Sequence, residues 1–178
     1  MFRAIFGTAV AILFGFTSSA KAQSPLTEFF GVDFTSPYSA DKIKIDTMSV
    51  NGRSLSLFQI DMESQGKSYL VETDAGEICE FVTVTGLENA GPPTNPLRLL
   101  MEMRMGMEDI YGPPTESSGP VENMPNDFTW LEGGDGARLP PEVAKATLAL
   151  GFANGVPVAI FLKASHRRCA HFSAFGLP

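Results

Sequence analysis

The chain has 178 residues, 44% of them hydrophobic and 19% charged, which is the balance of one ordinary globular domain rather than of a disordered or fibrous polymer. Thirteen Lys and Arg stand against 20 Asp and Glu, a formal charge of −7 that leaves no broad basic surface for nucleic acid or anionic lipid. No motif names a reaction or a ligand, so location, one covalent staple and a coarse architecture are what the residues establish.

Residues 1–22 read as an export leader. Arg3 precedes the apolar run from Ala4 to Phe16, and Ala20-Lys21-Ala22 has the small-x-small form that signal peptidase cuts, predicting cleavage between Ala22 and Gln23. As a helix that run would rise about 20 Å against a hydrocarbon core of roughly 30 Å, so no stable membrane anchor is expected after cleavage. The leader carries Arg3 and Lys21 and no acid, so its removal takes the net charge from −7 to −9. The expectation is a single domain over residues 23–178, periplasmic or secreted.

From Lys42 the pattern turns to sheet. Lys42 to Val50 and Arg53 to Met62 are rich in strand formers and are separated by Asn51-Gly52, a pair that accepts the positive φ of a two-residue hairpin turn. Leu55 and Leu57 alternate on one face while Phe58, Ile60 and Met62 fall on the other, which predicts a bulge near Phe58. Ser68 to Thr73 and Glu77 to Thr85 continue an antiparallel meander, and the last of these has apolar residues on both faces, as a central strand does.

Asn95-Pro96 is a helix start: Asn caps free amides, and Pro at the first helical position loses no needed donor. The helix runs to Tyr111, where Gly112-Pro113-Pro114 ends it. Leu99, Leu100, Met103, Met107, Ile110 and Tyr111 fall on one arc, predicting a face packed on the sheet. Residues 112–126 read as a flexible surface loop and Phe128 to Glu132 as a short strand around Trp130, the one tryptophan. Ala146 to Ala153 and Val156 to Ala164 flank Asn154-Gly155, predicting a second hairpin; a helix from Pro141 to Ala153 is the competing reading. The fold class is therefore α+β: an antiparallel sheet of about six to seven strands with two Asn-Gly hairpins, one main helix on one face and a single disulfide.

Cys79 and Cys169 are the two cysteines. Both fall in the exported part, where pairing is the expected fate, and their bond predicts that the segment after the last strand approaches the strand holding Cys79.

Two clusters are candidates for contacts. The run Met101-Glu102-Met103-Arg104-Met105-Gly106-Met107 resembles the Met-rich segments of exported copper-handling proteins, but alternate helix residues lie about 200° apart and cannot converge on one ion. Met101 and Met105 remain as a flank open to a partner. His166-Arg167-Arg168-Cys169-Ala170-His171 gathers both histidines and two arginines. With Lys163 it reads either as a solvated basic end or as an anion or acidic-peptide contact through Arg167 and Arg168, with His166 and His171 alongside. The bridge consumes Cys169, leaving too few ligands for a metal, and Ser165 beside His166 lies in no recognisable nucleophile setting. The expectation is an exported, non-catalytic binding or protein-interaction module with a protein or small ligand as partner and no cofactor or metal. A hydrolase-like periplasmic enzyme assembled only in the fold, and a copper-handling protein, are the alternatives.

Overall fold

The first four strands, β1 (Lys42–Val50), β2 (Arg53–Ile60), β3 (Lys67–Thr73) and β4 (Ile78–Gly86), form an antiparallel meander in which each pairs with its chain neighbour. Helix α1 (Pro96–Tyr111) then crosses to a second set, β5 (Glu116–Ser118), β6 (Asp127–Leu131), β7 (Val143–Ala153) and β8 (Val156–His166). The second set runs back toward the first, so β8 meets β4 and one eight-stranded sheet results, in the order β1-β2-β3-β4-β8-β7-β6-β5. The computed structural model describes residues 26–50, 52–62, 66–87, 95–119 and 126–169. Among them there are eight strands rather than six or seven, and β4 and β8 hold the centre.

Most of the elements follow their local chemistry. Asn95 accepts from the amides of Leu97 and Arg98, Pro96 opens the first turn, and Gly112 closes the helix at φ 78° with its N–H on the Glu108 carbonyl. Gly112 also has no room for a side chain, because a Cβ there would meet the Gly136 carbonyl oxygen at 2.0 Å. At the tip of β7–β8, Asn154 and Gly155 both take positive φ, 52° and 77°, as the two-residue turn requires. Val143–Ala153 is a strand along its whole length, so the helical reading of that stretch fails. At the first hairpin Val50 pairs with Arg53 and Gly52 sits at φ 75°; Asn51 lies outside the described residues.

Two expectations need correction. The loop expected from 112 to 126 contains β5, whose Glu116-Ser117-Ser118 has no apolar signal and is held by pairing with Thr129, Phe128 and Asp127; residues 120–125 lie outside the described residues. No bulge interrupts β2. The extra residue is Ile45 on β1, opposite the Leu57–Phe58 step, while β2 pairs with β3 in unbroken register. The two apolar sets of β2 are instead used on two faces: Ile60 joins the main core, and Leu55 and Leu57 join a second cluster on the other side.

The main core lies between the sheet and α1. Leu100, Met107 and Tyr111 from the helix bury against Leu70, Phe81, Phe128, Trp130, Leu148, Ile160 and Leu162, together with Phe29, Val32 and Phe34 from the segment ahead of β1. The Phe29 ring stacks on Tyr111 with centroids 4.9 Å apart, and the Tyr111 hydroxyl accepts the Phe30 N–H. On the opposite face, Leu55, Val71, Cys79 and Cys169 form the smaller cluster around the disulfide, with Cα atoms 5.2 Å apart. The covalent bond thus ties the 3-10 turn Arg167–Cys169, just past β8, to the start of β4. No helix among the described residues is long and apolar enough to cross a membrane.

Candidate functional site

Four pieces of chain that are distant in sequence meet at the disulfide end of the sheet. Phe34 to Pro37, the turn Ala75 to Glu77 with Ile78 of β4, Glu142 just before β7, and His166 and Arg168 at the end of β8 line a depression of about 200 Å3. Register explains the meeting: β4 and β8 are neighbours, Val143 pairs with His166, and the β3–β4 turn lies at the same end.

His166 is the buried centre of this site, with 6% of its surface exposed. Its Nδ1 accepts the Arg168 N–H at 2.9 Å, and its Nε2 lies 3.6 Å from a Glu142 carboxylate oxygen. The Phe34 ring lies nearly parallel to the imidazole, with centroids 6.4 Å apart. Burial holds the imidazole below its ordinary value of 6.5; Glu142 and Glu77 pull it up, and Arg168 and Arg167 push it further down. Neutral His166 with Nδ1 as acceptor carries its proton on Nε2, facing Glu142. A group so placed donates a hydrogen bond; its one lone pair is already used, so it is poorly set to abstract a proton.

The backbone around Glu142 is unusual. Glu142 adopts φ 69°, a region costly for a residue with a side chain, and its carbonyl accepts the Arg167 N–H at 2.7 Å. That bond ties the backbone at Glu142 to the 3-10 turn opposite it. Arg168 reaches Glu77 at 3.0 Å and Arg167 pairs with Glu132, both in exposed ion pairs. An arriving anion therefore meets guanidinium groups already engaged by carboxylates.

The remaining sequence candidates scatter. Met101 packs partly against the main core, as Met103 does, and Met107 is buried in it, whereas Met105 is exposed; the four do not converge. His171 lies outside the described residues. Ser165 and His166 are consecutive on β8 and so face opposite sides of the sheet. Lys163 is buried, not part of a solvated basic end: it pairs across the sheet with Val82 and Thr147, one row from Glu80, Ser165 and Lys145. Burial pushes its ammonium below the ordinary lysine value, with Glu80 opposing and Lys145 adding to the shift.

Sequence reading missed Phe34, Glu77 and Glu142 as site residues, as well as the buried Glu80–Lys163 region. The only local hint was the apolar stretch Phe29-Phe30-Gly31-Val32-Asp33-Phe34, which closes on itself through paired N–H to carbonyl bonds between Phe29 and Val32. Among the described residues no group of three or more His, Cys, Asp or Glu is disposed to hold a metal ion. No protein-family model, curated protein or solved structure matches the chain.

Proposed function

We propose that the chain is an exported, non-catalytic binding module and that the cleft around His166 is its contact site for a protein or small ligand. The observation that carries this reading is the Arg168 N–H bond to Nδ1 of the imidazole, which occupies the lone pair and leaves Nε2 3.6 Å from the Glu142 carboxylate, beyond hydrogen-bond distance. With Nδ1 on the Arg168 N–H and Nε2–H toward Glu142, the cleft offers a fixed donor between Glu142, Glu77 and Arg168 rather than a free base. Fixed donors and acceptors around an aromatic wall suit recognition of a polar group, and Phe34 supplies that wall. The leader read in residues 1–22 and the formed disulfide support an oxidising destination such as the periplasm or the exterior.

The experiment is capture of partners from periplasmic or culture extract on immobilised protein, followed by calorimetric titration of whatever is retained. Glu142→Gln and Arg168→Ala are expected to weaken binding at least about tenfold, the scale of one lost charge-assisted hydrogen bond. A retained partner indifferent to both substitutions, or no partner in any extract, rejects the reading.

A hydrolytic enzyme is the second reading, favoured by a histidine and a carboxylate sharing one cleft. It requires His166 to exchange its Arg168 bond for a substrate proton. Turnover of ester, amide or phosphate test substrates that is abolished by His166→Gln would establish it in place of the first.

A further inference from the structure

We propose that the Cys79–Cys169 bridge is a redox clasp on the His166 cleft, closed in the oxidised protein and opened by thiol reduction, which releases residues 167–169 and removes one wall of the site. The bridge lies one residue from the cleft on both sides. Ile78 lines the cleft and Cys79 follows it; Arg168 lines the cleft and Cys169 follows it. The single covalent link therefore joins the two walls that sequence separates by 90 residues.

Among the described residues, what else holds residues 167–169 is slight. The 3-10 turn is three residues long, too short to stand as a helix by itself. Its side-chain pairs to Glu132 and Glu77 are exposed to water, which screens them. Two backbone donors remain, Arg167 N–H to the Glu142 carbonyl and Arg168 N–H to His166 Nδ1. The sheet itself does not depend on the clasp. The β4–β8 ladder runs from Gly86 and Ala159 to Glu80 and Ser165 and stops before the turn, so strand pairing persists when the turn lifts.

The chemistry is thiol–disulfide exchange with a dithiol reductant. One thiolate of the reductant attacks a bridge sulfur and displaces the other as a thiolate; the reductant's second thiol then breaks the mixed disulfide. The products are two protein thiols and an oxidised, cyclic or bridged reductant, two electrons and two protons having passed to the protein. Both sulfurs are buried with Leu55 and Val71, so attack follows a lifting of the turn, the motion the clasp controls. The clasp's purpose rests on the binding reading, but its test needs no ligand, so the two fail separately.

The test compares oxidised and dithiothreitol-treated protein by NMR, with thiol counting and far-ultraviolet circular dichroism on the same samples; His166→Gln assigns the imidazole signals. Reduction is expected to yield two thiols per chain, keep the sheet signal, move the His166 midpoint up toward 6.5 and speed exchange of the Arg168 amide at least about tenfold. Reoxidation reverses all of these. An unchanged His166 titration and Arg168 amide in protein with two free thiols overturns the proposal. So does a bridge that resists reduction until the chain unfolds, or loss of the sheet signal on reduction, because the bond is then a staple of the whole fold.

Discussion

The indole N–H of Trp130 donates to the carbonyl of Gly112 at 2.7 Å, joining the middle of β6 to the residue that ends α1. Trp130 is fully buried, so this bond lies inside the main core and fixes how the helix leaves the sheet. Trp130→Phe keeps most of the packing and leaves the Gly112 carbonyl without that donor, at a cost of about 1–3 kcal/mol. Gly112→Ala is expected to cost more, since it combines positive φ with a steric conflict at the Gly136 carbonyl. Urea unfolding followed by circular dichroism checks both, and in the wild-type chain Trp130 emission reports the core directly.

Where a local rule acts within a few residues, the sequence and the structure agree. Asn95 and Gly112 bound α1 at Pro96 and Tyr111, and Asn154-Gly155 turns the second hairpin, because capping and positive φ are properties of one or two residues. The Cys79–Cys169 pairing follows from there being two cysteines. What escaped depends on neighbours remote in the chain. β5 exists because Phe128 and Thr129 offer an edge, and Lys163 is buried because β4 and β7 flank it. The cleft draws on Phe34, Glu77, Glu142 and His166, four positions without a shared period, and is legible only once β4 and β8 are known to be adjacent.

His166 makes stability depend on acid. Its imidazole is held below 6.5, mainly by burial, so on acidification the unfolded chain takes up this proton before the folded one does. The contribution is fully present above pH 6.5 and is lost as the pH falls through the folded-state value. His166→Gln is expected to flatten the fall in unfolding free energy between pH 7.5 and 5. By NMR titration Glu142→Gln should lower the His166 midpoint further and Arg168→Ala should raise it, because the carboxylate stabilises the imidazolium and the guanidinium opposes it. Shifts in the reverse directions would disprove the arrangement of charges.

Tyr111 sets a limit at the alkaline end. Burial pushes its hydroxyl up from 10 to about 12, against the opposing effect of the Phe30 N–H it accepts. The unfolded chain loses this proton near pH 10 while the folded one keeps it, so stability is intact below pH 10 and declines as the pH rises toward 12. The decline is on the order of 2 kcal/mol by the upper end of that window. Tyr111→Phe removes this component, so the wild-type and variant unfolding curves should converge or cross between pH 10 and 12. Parallel curves across that window would show that the hydroxyl titrates alike in both states.

The disulfide encloses a separation of 90 residues, and closing a loop of that size restricts the unfolded chain by roughly 4.5 kcal/mol on the chain-entropy account. Cys79→Ser with Cys169→Ser is expected to lower the unfolding free energy by about 2–5 kcal/mol, within the total of a typical domain, so the variant folds with a reduced urea midpoint. A midpoint equal to that of the oxidised protein would mean that the native bridge is strained enough to cancel the entropic gain.

Lys42 and Glu72 form an ion pair with one partner buried. Their atoms are 2.6 Å apart, Glu72 is nearly fully buried, and the Lys42 ammonium also lies 4.6 Å from the centre of the Phe58 ring. The two residues sit on strands that do not touch, β1 and β3, with β2 between them, so the pair bridges over Phe58 and braces the edge of the sheet. Lys42→Met removes the cation and leaves a carboxylate out of water, which costs about 3–5 kcal/mol for a fully buried pair and less here, about 2–3, because Lys42 is about a quarter exposed. Glu72→Gln removes the buried charge instead and leaves a lysine able to reach solvent, so its cost should be the smaller of the two. The double substitution Lys42→Met with Glu72→Leu is expected to recover most of the loss, since it leaves no buried charge. Urea midpoints of the three variants decide the matter: equal losses for Lys42→Met and Glu72→Gln, or no recovery in the double variant, would mean that packing on Phe58 rather than the ion pair sets the energy.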